Sequence, residues 1–204
     1  GILHSFPTRR SSDLDPKTSY TDVEQMRRLL IDQLSSQVTT IDGRTGIPFV
    51  MSTQDTALRQ WNWTMIAMGF VGKNLEGADL LLREAERDKT ERGQKMYKQG
   101  TEIIMSMIRA LNSVPLQATG YDLATGKPWD HEWLAPWLRN ATEDMRTLVQ
   151  AYQRERTLGR NHPEWFSWVK KYADWLLLQQ REDGSFPRRW ERGSGVVAEP
   201  TGTT

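Results

Sequence analysis

The stretch Pro163-Glu164-Trp165-Phe166-Ser167-Trp168-Val169-Lys170-Lys171-Tyr172-Ala173-Asp174-Trp175-Leu176-Leu177-Leu178-Gln179-Gln180-Arg181-Glu182-Asp183-Gly184-Ser185-Phe186-Pro187 reads as one helix followed by one loop. Trp165, Trp168, Val169, Tyr172, Trp175 and Leu176 recur at the three- and four-residue spacing that places side chains on one face of an α-helix. Pro163 suits the first helical turn, where its missing N–H removes no bond. The spacing predicts a helix over 163–180. The turn chemistry of Asp183-Gly184 follows, since Asp bonds its own backbone and Gly supplies a positive φ.

The same unit recurs on moving outward. Residues 137–157 carry Leu138, Met145, Leu148, Val149 and Tyr152 in a helical pattern. Residues 92–111 carry Met96, Ile103, Ile104, Met107, Ile108 and Leu111 on one side. A long helical stretch is expected over 56–88, with Gly69 and Gly72 as kink points. A first helix over 22–37 opens on the capping box Thr21-x-x-Glu24, ahead of Val23, Met26, Leu29, Leu30 and Leu34. Convincing strand alternation is absent, and Phe49-Val50-Met51 supports at most a short extended piece. The fold class is all-α.

The connections alternate in length. Two are short, near 88–92 and 158–162, and three are long, near 38–55, 112–136 and 181–200. In a stack of antiparallel helices alternate connections lie at opposite ends. All three long loops are therefore expected at one end. Asp42-Gly43-Arg44-Thr45-Gly46-Ile47-Pro48 and Asp122-Leu123-Ala124-Thr125-Gly126-Lys127-Pro128 both read Asp-x-x-Thr-Gly-x-Pro, and Asp183-Gly184-Ser185-Phe186-Pro187 is a looser echo. The plain reading is three similar turns. Their recurrence at equivalent places argues for a helical-hairpin repeat.

The segment Trp175-Leu176-Leu177-Leu178-Gln179-Gln180-Arg181-Glu182-Asp183-Gly184-Ser185-Phe186-Pro187 resembles the outer-helix-to-loop segment of the α/α-toroid (six-hairpin glycosidase-like) superfamily. The resemblance implies antiparallel helical hairpins forming an incomplete ring of about two and a half hairpins. Helices near 22–37, 92–111 and 163–180 would be outer, and those near 56–88 and 137–157 inner. The run from Glu199 to Thr204 would lead into a further inner helix that is missing. It also implies a carbohydrate-active enzyme, of glycoside hydrolase, lyase or epimerase type, acting on a saccharide in a cleft at the long-loop end. A terpenoid cyclase of the same superfamily is the alternative enzyme, since residues 175–186 are similar to its Gln-to-Trp repeat, although Phe186 stands where that repeat has Trp and no Asp-x-Asp-Asp run occurs. A non-catalytic helical-hairpin binding or scaffold module is the alternative of a different class.

Ser5-Phe6-Pro7-Thr8-Arg9-Arg10-Ser11-Ser12-Asp13-Leu14 matches the translation of a widely used short-read library adapter. Residues 1–14 are accordingly expected to be artefactual and to pack on nothing. The domain proper is expected over 15–204, truncated at both ends. Its residues suffice for one domain with a sizeable core. The net charge of +1, from 27 basic and 26 acidic residues, gives no electrostatic case for nucleic acid or membrane as a partner. No apolar run reaches the roughly 20 residues of a membrane span. With no Cys there is no disulfide scaffold and no thiolate metal site. The compartment stays open, since periplasmic and secreted proteins can also lack Cys, and nothing in the sequence reads out oligomeric state.

The densest chemical cluster is Trp129-Asp130-His131-Glu132-Trp133. Asp130 and His131 are the expected acid/base pair, because paired acid/base groups cleave glycosidic bonds and imidazole exchanges protons near neutral pH. Trp129 would stack on a sugar ring. The bland alternative is a helix entry, with Asp130 as cap and Trp133 and Trp137 packing inward. In Arg188-Arg189-Trp190-Glu191-Arg192, Arg188 would grip a carboxylate bidentately and Trp190 would stack, which suits an acidic sugar. A solvated charge run is the alternative there. Trp63, in Trp61-Asn62-Trp63, and Asp42 complete the expected substrate contacts. His162-Pro163-Glu164 falls at the short-loop end, away from the chemistry. A Ser-His-Asp arrangement, a phosphate-binding Gly loop and a metal-ligand spacing are all missing, so neither a cofactor nor a metal is expected.

Overall fold

The computed structural model describes residues 22–48, 64–68, 73–113, 116, 118–128, 136–191, 196 and 197. Helix α1 (Val23–Gln37) starts at Asp22, whose Oδ1 accepts the Glu24 N–H at 2.9 Å. The cap is therefore Asp22; Thr21, half of the expected capping box, lies outside the described residues, as does the adapter-like run 1–14. A hairpin of β1 (Thr39–Ile41) and β2 (Arg44–Gly46) follows. After β3 (Met65–Ala67) come α2 (Asn74–Arg87), α3 (Glu91–Ala110), β4 (Gly120–Asp122), α4 (Leu138–Thr157) and α5 (Pro163–Leu177). Most described residues are helical, as the periodicity predicts.

The helix directions follow from their contacts. Arg27 near the start of α1 pairs with Glu84 near the end of α2, and Leu34 near the end of α1 lies by Gly77 near the start of α2. These two helices run in opposite directions. Helices α2 and α3 form the most closely packed pair. A Cβ at Gly100 would stand 2.9 Å from both the Ala78 carbonyl oxygen and Leu82 Cγ, so glycine is what lets the two backbones approach. Helices α2 and α4 run the same way, since Lys73 meets Glu143 and Asp79 meets Arg154. Tyr152 stacks on Phe166 at 5.5 Å across the antiparallel α4–α5 pair. The core is one cluster, with Leu75, Leu82, Ile103, Met107, Leu148, Trp165 and Tyr172 at its centre.

Three expectations change. The helix expected over 56–88 is α2 alone among the described residues, and Met65-Ile66-Ala67 is strand instead. All three residues are fully buried, because β3 pairs with β4 antiparallel, with Ile66 opposite Tyr121. Strands are not expected, yet four short ones occur among the described residues. The hairpin β1–β2 is tied by a two-residue turn in which Asp42 and Gly43 both take positive φ, +48° and +76°. That is the mirror-image turn whose twist matches antiparallel strands, and Asp-Gly favours it. Lastly, Val23, Met26, Leu29 and Leu30 of α1 are exposed, while Ile31 and Ser35 turn inward.

Candidate functional site at the long-loop end

Helices α1, α3 and α5 finish, and α2 and α4 begin, at the same end of the helices, and the described parts of the long connections meet there. Arg44, opening β2, donates through Nη2 to the Ala124 carbonyl at 2.7 Å and through Nε to the Leu123 carbonyl at 2.5 Å. The backbone N–H of Thr45 donates to Ser106 Oγ at 2.9 Å, which seats the hairpin on the last turns of α3. Asn74, first residue of α2, gathers both strands: its Nδ2 donates to the Ile47 and Ala67 carbonyls at 3.0 and 3.1 Å. Its Oδ1 accepts from Ile47 N–H at 2.7 Å. The first two long connections thus form one unit.

Asp122 ends β4 and is buried at the centre of that unit. Its carboxylate accepts from the Thr64 hydroxyl, the Ala124 N–H at 2.9 Å and the Thr125 hydroxyl at 3.1 Å. Burial pushes this carboxyl up, but the donors outweigh it and hold Asp122 below the usual carboxylate range. An ionised group with its lone pairs already engaged is built to shape a turn. Asp183 does the same in the third loop, accepting from Ser185 N–H at 2.9 Å. The two Asp-x-x-Thr-Gly-x-Pro copies are therefore not alike: Asp122 caps a turn with its side chain, whereas Asp42 sits at the apex of a hairpin.

The third long connection joins the end of the second. The Leu138 N–H donates to the Arg188 carbonyl at 2.9 Å, and the Trp190 N–H to the Pro136 carbonyl at 3.0 Å. Trp190 is expected to stack on sugar, yet its side chain is 0% exposed. It packs on Trp175, centroids 5.0 Å apart, and donates Nε1 to Gln179 Oε1 at 3.2 Å. With both ring faces covered by protein, Trp190 in this conformation belongs to the core rather than to a binding surface. Arg188 is exposed, with its guanidinium 5.6 Å from the centroid of the Trp137 ring, and Arg189 lies over the same ring at 5.1 Å. Trp137 is half-buried. Asp42 is exposed and pairs with Arg44 at 3.3 Å. Trp63, Trp129, Asp130 and His131 lie outside the described residues. His162 sits at the short-loop end, as its position in the chain implies, stacked on Trp165 at 4.0 Å.

Sequence reasoning passed over Asn140 and Asp144, which are buried on the first two turns of α4 at the long-loop end. The signal was available. Asn140, Ala141, Asp144, Leu148 and Ala151 share the inward stripe of the helix, and a carboxylate on such a stripe is unusual. Asp144 is fully buried and engaged by a partner, so it is held rather than adrift. Among the described residues no group of three or more His, Asp or Glu side chains is placed to hold a metal ion. No described helix is long and apolar enough to cross a membrane. Compared with known proteins, the chain matches no family model and no curated protein.

Proposed function

We propose that this chain is a carbohydrate-active protein of the α/α-toroid type, acting on a saccharide at the long-loop end. The observation that carries the reading is the knitting of all three long connections to one another there, through Arg44 to Ala124 and Trp190 to Pro136. Loops fixed on a rigid helical scaffold are where binding and catalytic groups concentrate. In this reading the outer helices are α1, α3 and α5, and the inner ones α2 and α4. Asp130 and His131 do the acid/base work, and Trp129, Trp63, Asp42 and Arg188 contact the sugar. Asp144 joins them as the second carboxylate, since glycosidic cleavage runs on a carboxyl pair. Trp190 acts one step back, as the packed support under the third loop.

The test is a saccharide panel titrated against the full chain, followed by turnover assays on whichever saccharide binds. Asp130→Asn and Asp144→Asn are each expected to lower turnover about 10²–10⁴-fold, the usual contribution of an acid/base group, with melting curves checking the fold. A chain that binds no saccharide at all sinks the proposal. Turnover unchanged in both variants removes the two carboxylates from the mechanism, and binding without turnover leaves a binding module.

A further inference from the structure

Between the β1–β2 hairpin and the outer surface of α3 runs a groove of about 320 Å³, lined by Thr40 and Gly43 on one side and by Thr101, Glu102, Met105, Ser106 and Arg109 on the other. It runs into a second hollow of about 270 Å³ that shares Gly43, Ser106 and Arg109 and reaches Thr125 and Gly126. The chemistry along it is uneven. Arg109 is exposed in the last turn of α3 and, among the described residues, its guanidinium has no hydrogen-bond or ion-pair partner. Seven positions earlier, about 10 Å along the helix axis, Glu102 faces the same groove with only a distant partner, Lys98 at 3.8 Å. Hydroxyls of Thr40 and Thr101 and the apolar side chain of Met105 lie along the walls.

A lone cation at a helix C-terminus has an ordinary explanation in the helix dipole. That explanation leaves out the carboxylate, the hydroxyl walls and the apolar strip lying in line with it. A polyanion would meet Glu102 with repulsion, and a purely apolar ligand would leave Arg109 and Glu102 desolvated without a bond. The set suits a ligand with one anionic group, several hydroxyl donors and a C–H face.

We propose that this groove binds an acidic saccharide. The carboxylate of a uronate unit takes a forked bond from Arg109, the ring hydroxyls donate to Glu102 and to the Thr40 and Thr101 hydroxyl oxygens, and the sugar C–H face lies on Met105. This rests on the carbohydrate reading above and names its substrate class. Arg109 takes the carboxylate-gripping role in this groove that the sequence gives to Arg188 in the third loop.

The probes are methyl galacturonoside, which carries a single carboxylate, the neutral methyl galactoside, and glucose 6-phosphate, each titrated by calorimetry into the full chain and into Arg109→Gln and Glu102→Gln. Both positions are on the surface, and circular dichroism checks that the fold is kept. Methyl galacturonoside is expected to bind most tightly, with Arg109→Gln weakening it roughly 10–100-fold, the usual worth of a bond to a charged group. Arg109→Gln should leave neutral binding unchanged, while Glu102→Gln should weaken both sugars several-fold. The proposal is overturned if Arg109→Gln leaves methyl galacturonoside affinity intact, or if glucose 6-phosphate occupies the groove and the uronate does not. Saccharide binding that ignores both substitutions overturns the groove alone and leaves the loop-end function standing. No saccharide binding of any kind overturns both.

Discussion

Arg160 holds Glu155 in a two-point grip, its Nε donating to Oε2 at 2.6 Å and its Nη2 to Oε1 at 2.7 Å. Glu155 is fully buried where α4 turns into α5, with His162 Nε2 at 3.3 Å from the same Oε2 and the Arg160 guanidinium 4.7 Å above the Tyr97 ring. The grip closes the short connection at the end opposite the candidate site.

Burial pushes the Glu155 carboxyl up, yet the Arg160 guanidinium and the His162 ring outweigh it and hold it below the usual range. A depressed folded pKa adds stability that is fully present above the unfolded value, about 4.3, and is lost as pH falls through the folded value. Glu155→Gln is expected to cost about 2 kcal/mol at neutral pH, less than a wholly buried pair because Arg160 is partly exposed. The variant should also lose less stability between pH 5 and pH 3 than the parent. Urea unfolding at several pH values reads both effects, and equal stability at pH 7 would show that the grip contributes nothing.

A second prediction isolates backbone strain. Gly43 takes φ of +76°, and a Cβ built on it meets nothing within 4 Å. Gly43→Ala therefore changes no contact and should cost about 1 kcal/mol, the penalty of a left-handed conformation for a residue with a side chain. A neutral result in chemical denaturation would mean the two-residue turn is not what holds β1 to β2.

Tyr172 gives a prediction of opposite sign. Its hydroxyl is buried on α5 with no hydrogen-bond partner among the described residues, and burial pushes its pKa up. Its ring stacks on Trp175 at 5.4 Å. Tyr172→Phe keeps the stack and removes an unsatisfied polar group, so stability should hold or rise by up to about 1 kcal/mol. A clear loss in melting temperature would reveal a bond made by that hydroxyl.

How much was legible differs from element to element. Helix α3 was readable because Met96, Ile103, Ile104 and Met107 bury a single face, so helical periodicity and burial coincide. Strand β3 was not readable. Met65-Ile66-Ala67 is short and apolar throughout, a run that periodicity cannot separate from buried helix, and its partner β4 is distant in sequence. Helix α1 misled for another reason: its apolar residues outnumber the places in the core that receive them, and Ile31 fills the inward position while Leu30 remains outside. At the site, the paired Asp-x-x-Thr-Gly-x-Pro runs concealed two different turns, although Asp42-Gly43 already carried the hairpin signature. Asp144 was hidden only by attention to its apolar neighbours.

The pairing of β3 with β4 also orders events in time. Both α2 and α3 lie between the two strands in sequence. The α2–α3 pair can form from neighbouring chain alone, with a connection of a few residues, whereas the strand pair must wait until a loop spanning two helices has closed. Refolding should accordingly show helical signal first. The buried environment of Met65, Ile66 and Tyr121 should follow, and the bond from the Thr64 hydroxyl to Asp122, which forms only once β4 is seated beside β3, should be among the last to arrive.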